Sequence, residues 1–192
     1  MGSITPNFLI YDSQSKINLW HNIANIYLPI KEKFFKEANL KYNYLFEGSN
    51  NVLGVLIRGT DYTARKPKGH PIQPSPELLI EDINKMDNKF KYDYIFLTTE
   101  DDLIRKKITN RFGKKIKYIK SKIKTNYDYN KKELLAVNKN IGTFLFTKNY
   151  LVNIIILSKC LDAIVSRCGG SLVAFILSNG FRNYKAYNLG YY

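Results

Sequence analysis

The sequence predicts an α/β fold, a Rossmann-like parallel sheet flanked by helices and entered through a helical lead-in. Three observations carry that reading. Short apolar runs suited to buried strands recur at 52–57, 93–98 and 162–166, with helix-like stretches between them. The first and third runs open into segments of small and charged residues, Arg58-Gly59-Thr60-Asp61 and Arg167-Cys168-Gly169-Gly170. A chain of 192 residues that is 45% apolar can also bury the core of one ordinary domain.

Taken in order, residues 15–40 place Leu19, Ile23, Ile26, Tyr27, Ile30, Phe34 and Ala38 on one helical face, and Pro29 should kink or split that helix. The first strand follows at 52–57. A helix is expected from about 76, because Ser75 can cap it, Pro76 suits its first position and Glu77 faces the positive end of its dipole. Then come a strand at 93–98, a helix from about 101, a strand near 116–119, a helix at 149–160, a strand at 162–166 and a helix from about 170. The lysine-rich segment 120–148 has no sustained periodicity and reads as a long loop or lid. The expected division is a helical lead-in over 1–45, or the remnant of a further lobe, and a Rossmann-like unit over 46–192.

Composition narrows the function. The net charge is +14, and between Arg105 and Lys139 thirteen Lys or Arg stand against only Asp128 and Glu133. Such a surface attracts phosphates, nucleic acid or anionic headgroups over a screening distance of about 10 Å, or else merely solvates the chain. No nucleic-acid motif accompanies the charge, so nucleic acid is not the expected partner. No apolar stretch is long enough to span a bilayer, and the N-terminus lacks a signal-peptide pattern. Cys160 and Cys168 have neither zinc-ligand nor redox-motif spacing, which suits a reduced, cytoplasmic setting without excluding a disulfide between them.

Chemistry concentrates at the strand ends, where open α/β sheets bind their ligands. Arg58 is a cation at the end of the first strand; it either binds an anion or pairs with Asp61 and staples the loop. Asp61 either orients that loop or stabilises its turn. His70, in Lys68-Gly69-His70-Pro71, is either a hydrogen-bond donor to a ligand or a histidine satisfied by the backbone. Asp101 follows the second strand, where a carboxylate can also serve a helix N-terminus. Gly169 and Gly170 open a helix, and small residues there leave N–H groups free for a phosphate, with the Ser171 hydroxyl as a further donor; the glycines can equally serve close packing.

The run Gly54 to Pro71, with Arg58-Gly59-Thr60-Asp61-Tyr62 and His70-Pro71, resembles the donor-binding motif of the GDP-fucose-dependent fucosyltransferases. That superfamily holds the α1,6-, α1,2- and protein O-fucosyltransferases, and the bacterial nodulation fucosyltransferases are relatives. Ile95-Phe96-Leu97-Thr98-Thr99-Glu100-Asp101 is similar to its second strand, and Tyr150 to Ala174 to its last helix-strand-helix unit. The resemblance spans roughly residues 50 to 190. It implies the donor lobe of a GT-B type inverting transferase that uses GDP-fucose without a metal or other cofactor. It further implies that Arg58 grips the β-phosphate, that Asp61 and His70 assist, that Thr99 and Asp101 belong to the guanine side, and that Gly169, Gly170 and Ser171 line the phosphates. The acceptor would be a glycan or lipid-linked glycan, and the basic stretch would touch an anionic membrane surface. Leu56 departs from the α1,6 pattern, which has a histidine there. Lys66 replaces a carboxylate proposed as general base, so either Asp61, another carboxylate or a second lobe takes that role, or the linkage and acceptor differ from the α1,6 reaction. The rival expectations are a non-catalytic nucleotide-sugar-binding module and, behind it, a basic nucleic-acid-binding protein.

Overall fold

The computed structural model describes residues 8–119, 125–128, 133–136 and 143–192. A 3-10 turn at Phe8–Asp12 leads into helix α1 (Gln14–Tyr27), whose cap Ser13 accepts from the Lys16 amide. The break at Pro29 separates it from α2 (Glu32–Phe46). Proline cannot continue a helix and pushes its predecessor out of the helical region, which is why the lead-in is two helices.

The sheet is built around β1 (Val52–Leu56), buried along its whole length. It pairs in parallel with β2 (Tyr94–Thr98) on one side and β6 (Asp162–Ser166) on the other. β3 (Ile116–Lys117) extends the sheet beyond β2 and β7 (Tyr184–Tyr187) beyond β6, giving the order β3-β2-β1-β6-β7, all parallel. Between β1 and β2 lie α3 (Thr60–Arg65) and α4 (Pro76–Phe90), and α5 (Asp102–Phe112) joins β2 to β3. A two-stranded antiparallel unit, β4 (Thr125–Asp128) with β5 (Glu133–Ala136), precedes α6 (Thr143–Ser158), and α7 (Gly169–Ser178) joins β6 to β7.

Side-chain alternation along the strands divides the core into two layers. Val52, Leu56, Phe96, Ala163 and Val165 face α1, α2, α6 and α7, while Leu53, Val55, Ile57, Ile95, Leu97 and Ile164 face α4 and α5. The lead-in contributes Ile10, Tyr11, Ile17, Ala38, Tyr42 and Phe46 to the first layer and so shares one core with the sheet. Buried charge fastens the β7 edge. Asp162 accepts from Arg182 Nε at 3.0 Å and the Asn183 amide at 2.9 Å, and the Tyr187 hydroxyl donates to Asp82 at 2.6 Å.

Three elements differ from the sequence reading. The segment 120–148 contains β4, β5 and the first turns of α6 rather than an unbroken loop. Thr60–Arg65 forms a helix, too short to show a period. β7 is an edge strand whose Tyr184 and Lys185 are exposed, so its sequence lacks the apolar run of the central strands.

The chain lays down β1, β2 and β3 toward one edge and then crosses over to add β6 and β7 on the other. The order therefore reverses between β1 and β6, and a crevice opens beyond their carboxyl ends.

Candidate functional site

Arg58 stands at that crevice, two residues past β1. Its amide donates to Ser166 Oγ at 3.1 Å, which ties the two strand ends together across the switch point. The guanidinium is 23% exposed; its Nε lies 3.4 Å from Glu100 Oε1 and its Cζ 4.9 Å from the centroid of the Tyr62 ring. Glu100 also accepts from the Gly59 amide at 2.9 Å. The sequence reading offers Arg58 the partner Asp61, five residues past β1, and not Glu100. The second strand was legible, but not the parallel pairing that brings its end beside Arg58. The side chain of Asp61 lies outside the described residues, and so does its pairing with Arg58.

Asp101 is the N-cap of α5. Its Oδ1 accepts from the Leu103 amide at 2.9 Å and the Ile104 amide at 3.1 Å, and the residue is only 8% exposed. Thr99 Oγ1 in turn accepts from the Asp101 amide at 3.2 Å. A side chain added at Gly59 would come within 2.5 Å of Asp101 Oδ2, so only glycine lets the motif loop lie against this carboxylate. The helix-cap reading of Asp101 is thus realised in the geometry.

At the end of β6, Cys168 caps α7, and a capping box joins it to Ser171. The Ser171 hydroxyl is fully buried, accepts from the Cys168 amide at 3.0 Å and pairs with the Tyr11 hydroxyl at 2.7 Å. These hydrogen bonds hold the helix start to the lead-in. The amides of Gly169 and Gly170 fall in the first turn, where no intrahelical carbonyl can accept from them. Gly169 is exposed with open space at its Cβ position, whereas a Cβ at Gly170 would collide with the Tyr150 hydroxyl. The close-packing reading thus holds at Gly170, while Gly169 faces open space.

Tyr150, on α6, carries its hydroxyl into this corner. Burial pushes its phenol up, the nearby Cys168, Glu100 and Tyr62 add to the rise, and Arg58 opposes it, so the group stays a protonated donor at neutral pH. Helical periodicity gives no signal for this role, since it places Tyr150 only within the helix expected at 149–160.

His70 is exposed, and its imidazole meets the Tyr62 ring edge-on at 5.3 Å. Lys66 closes α3 in the left-handed region at φ 47° and is exposed, while Leu56 is buried in the core. Arg167 is 6% exposed; its Nη2 lies 3.5 Å from Asp12 Oδ1 and its guanidinium 5.5 Å from the Tyr11 ring. Both cysteines are buried free thiols. Among the described residues no group of three or more His, Cys, Asp or Glu could hold a metal, and no helix is long and apolar enough to cross a membrane. Much of the basic stretch from Arg105 to Lys139 lies outside the described residues.

A guanidinium past the end of β1 and a helix N-terminus past the end of the adjacent β6 are both groups suited to an anion. Comparison with solved structures bears on the fold. POFUT1 in complex with GDP-fucose aligns with a TM-score of 0.55 at 8% identity, over 92% of this chain and 51% of that one. The fold is fucosyltransferase-like. POFUT1 in complex with GDP aligns at 0.56 and 8% identity, over 92% of this chain and 52% of that one. The chain thus spans about half the length of the GT-B structures it matches. No family model and no curated protein matches the sequence.

Proposed function

We propose that this chain is the donor-binding lobe of an inverting glycosyltransferase that takes a GDP-sugar, GDP-fucose first among them, and passes the sugar to a glycan. The observation that carries the reading is Arg58 at the carboxyl end of the central strand, across the switch point from the open amides of α7. In the transfer, the bond from C1 to the β-phosphate oxygen breaks and its electron pair leaves on the diphosphate. The acceptor hydroxyl oxygen bonds to C1 from the opposite face, and its proton passes to a base. Charge on the diphosphate grows toward the transition state, so a preorganised guanidinium stabilises that state more than bound donor. Gly169 and Gly170 would supply amides, the Tyr150 hydroxyl a further donor, and His70 a donor at the acceptor side. Thr99 and Asp101 would border the guanine.

Glu100 is held by Arg58 and the Gly59 amide, and an arginine-paired carboxylate is a poor base. Asp61 is the motif carboxylate left for that step. Calorimetric titration with GDP, GDP-fucose, GDP-mannose and UDP tests the site. Guanine-selective binding that Arg58→Ala abolishes, with the melting temperature little changed, supports it. A folded protein that binds none of them refutes it.

The second reading is a nucleotide-sugar-binding module without transfer. It predicts GDP binding with neither transfer nor donor hydrolysis. A lipid-linked or surface-polysaccharide acceptor, reached from the cytoplasmic side with the basic stretch against anionic lipid, completes the proposal.

A further inference from the structure

We propose that Tyr62 is a positioning residue for the donor cation: it holds the Arg58 guanidinium in place and passes on to it the placement of the loop that carries His70. The inference rests on the donor-site reading above. Tyr62 touches both partners, with the guanidinium 4.9 Å and the imidazole 5.3 Å from its ring centroid. The two contacts differ in what fixes them. His70 sits on a loop whose backbone is strapped by a segment following β7. The Gly69 amide donates to the Tyr192 oxygen at 3.1 Å, the Tyr192 amide to the His70 oxygen at 3.1 Å, and the Ile72 amide to the Gly190 oxygen at 3.0 Å. Such a ladder fixes the backbone from which the exposed imidazole projects.

The guanidinium, by contrast, ends a long side chain with much rotamer freedom to lose. Its backbone is held by Ser166 and its Nε side by Glu100, and the ring of Tyr62 confines the planar face. Tyr62 itself rides on α3, six residues long and closed by a left-handed lysine. A helix that short has little stability of its own and takes its place from what packs on it. The strapped loop therefore sets α3 through the two rings, and the Tyr62 face sets the cation.

Removing a cation–π contact of this kind weakens anion binding by about 3- to 30-fold. The test is calorimetric titration with GDP, UDP and inorganic pyrophosphate, together with thermal melts, on the wild type, Tyr62→Phe, Tyr62→Leu, His70→Ala and the Tyr62→Leu/His70→Ala double variant. Tyr62→Phe keeps the ring face and should bind within about twofold of wild type. Tyr62→Leu should lose the same factor for GDP and for pyrophosphate and leave the preference for GDP over UDP unchanged, since it acts through the phosphates alone. His70→Ala should weaken binding on its own and add nothing to Tyr62→Leu.

If Tyr62→Leu binds as wild type does while Arg58→Ala does not, the inference fails and the donor site stands. Should Tyr62→Leu not fold, His70→Ala, which alters an exposed ring, still decides: unchanged affinity for GDP overturns the relay. A folded wild type that binds neither GDP nor pyrophosphate overturns the donor site and this inference with it.

Discussion

Replacing Asp101 separates two duties that one carboxylate would perform. Its Oδ1 takes the amides of both Leu103 and Ile104, so Asp101→Ala leaves two helix-terminal donors without their acceptor in a largely buried setting. Loss of such a cap costs about 1–2 kcal/mol. For a chain of this length that lowers the melting temperature by about 2–8 °C. Asparagine caps helices about as well as aspartate, and Asp101→Asn should melt within about 1–2 °C of wild type. The carboxylate has two acceptor oxygens, however, and the amide only one. With that oxygen kept by α5, the amide nitrogen takes the place of Oδ2, beside Gly59 of the motif loop. If guanine places its N1–H and amino group there, Asp101→Asn sets donor against donor. An unmatched buried polar group of this kind costs about 1–3 kcal/mol, so the preference for GDP over UDP should fall by about 5- to 150-fold. Thermal melts and paired titrations with the two nucleotides read both effects. An Asp101→Asn protein that melts as low as Asp101→Ala refutes the cap assignment. One that melts normally and keeps the full guanine preference refutes the base contact.

Two further outcomes follow from packing and titration. Gly170→Ala should destabilise by about 1–3 kcal/mol, because its Cβ meets the Tyr150 hydroxyl, and Tyr150→Phe in the same chain should recover part of that loss in urea unfolding. Burial of Asp162 opposes its ionisation, but the hydrogen bonds from Arg182, Tyr92 and Asn183 outweigh it and hold the carboxyl below its usual 3.8. The group therefore adds stability above about pH 4 that is lost as pH falls through the lowered folded-state value. Asp162→Asn should lower the urea midpoint at pH 7 and flatten its dependence on pH below 4; an equal slope in both proteins refutes the assignment.

The central strands, the Pro29 break and the cap at Ser75 were legible because each rests on local chemistry: an apolar run, a missing N–H, a hydroxyl before a proline. Ser75 indeed accepts from the Leu78 amide at 3.2 Å. β7 was not legible, since an edge strand needs apolar residues on one side only and its four residues are too few to show alternation. The site divided the same way. The places of Arg58, Asp101 and the glycine pair past strand ends could be read from local pattern. Glu100 and Tyr150 could not be assigned, because what makes them relevant is the pairing of β1 with β2 and the packing of α6 on α7. The setting of Ser171 was hidden for a related reason. Nothing in its neighbourhood announces that Tyr11, 160 positions away, supplies the partner that turns its hydroxyl inward.

The placement of β1 between β2 and β6 also bears on when the crevice can exist during folding. β1 meets β2 after about forty residues of chain, but the contact between Arg58 and Ser166 spans 108. Closing the longer loop must be compensated by contacts that form only once it is closed, so β6 is expected to dock after the β1–β2 pair. A nascent chain still lacking β6 would carry Arg58 on an open strand edge. Competence to recognise a ligand and protection of the central strand from aggregation would then arrive in the same late event.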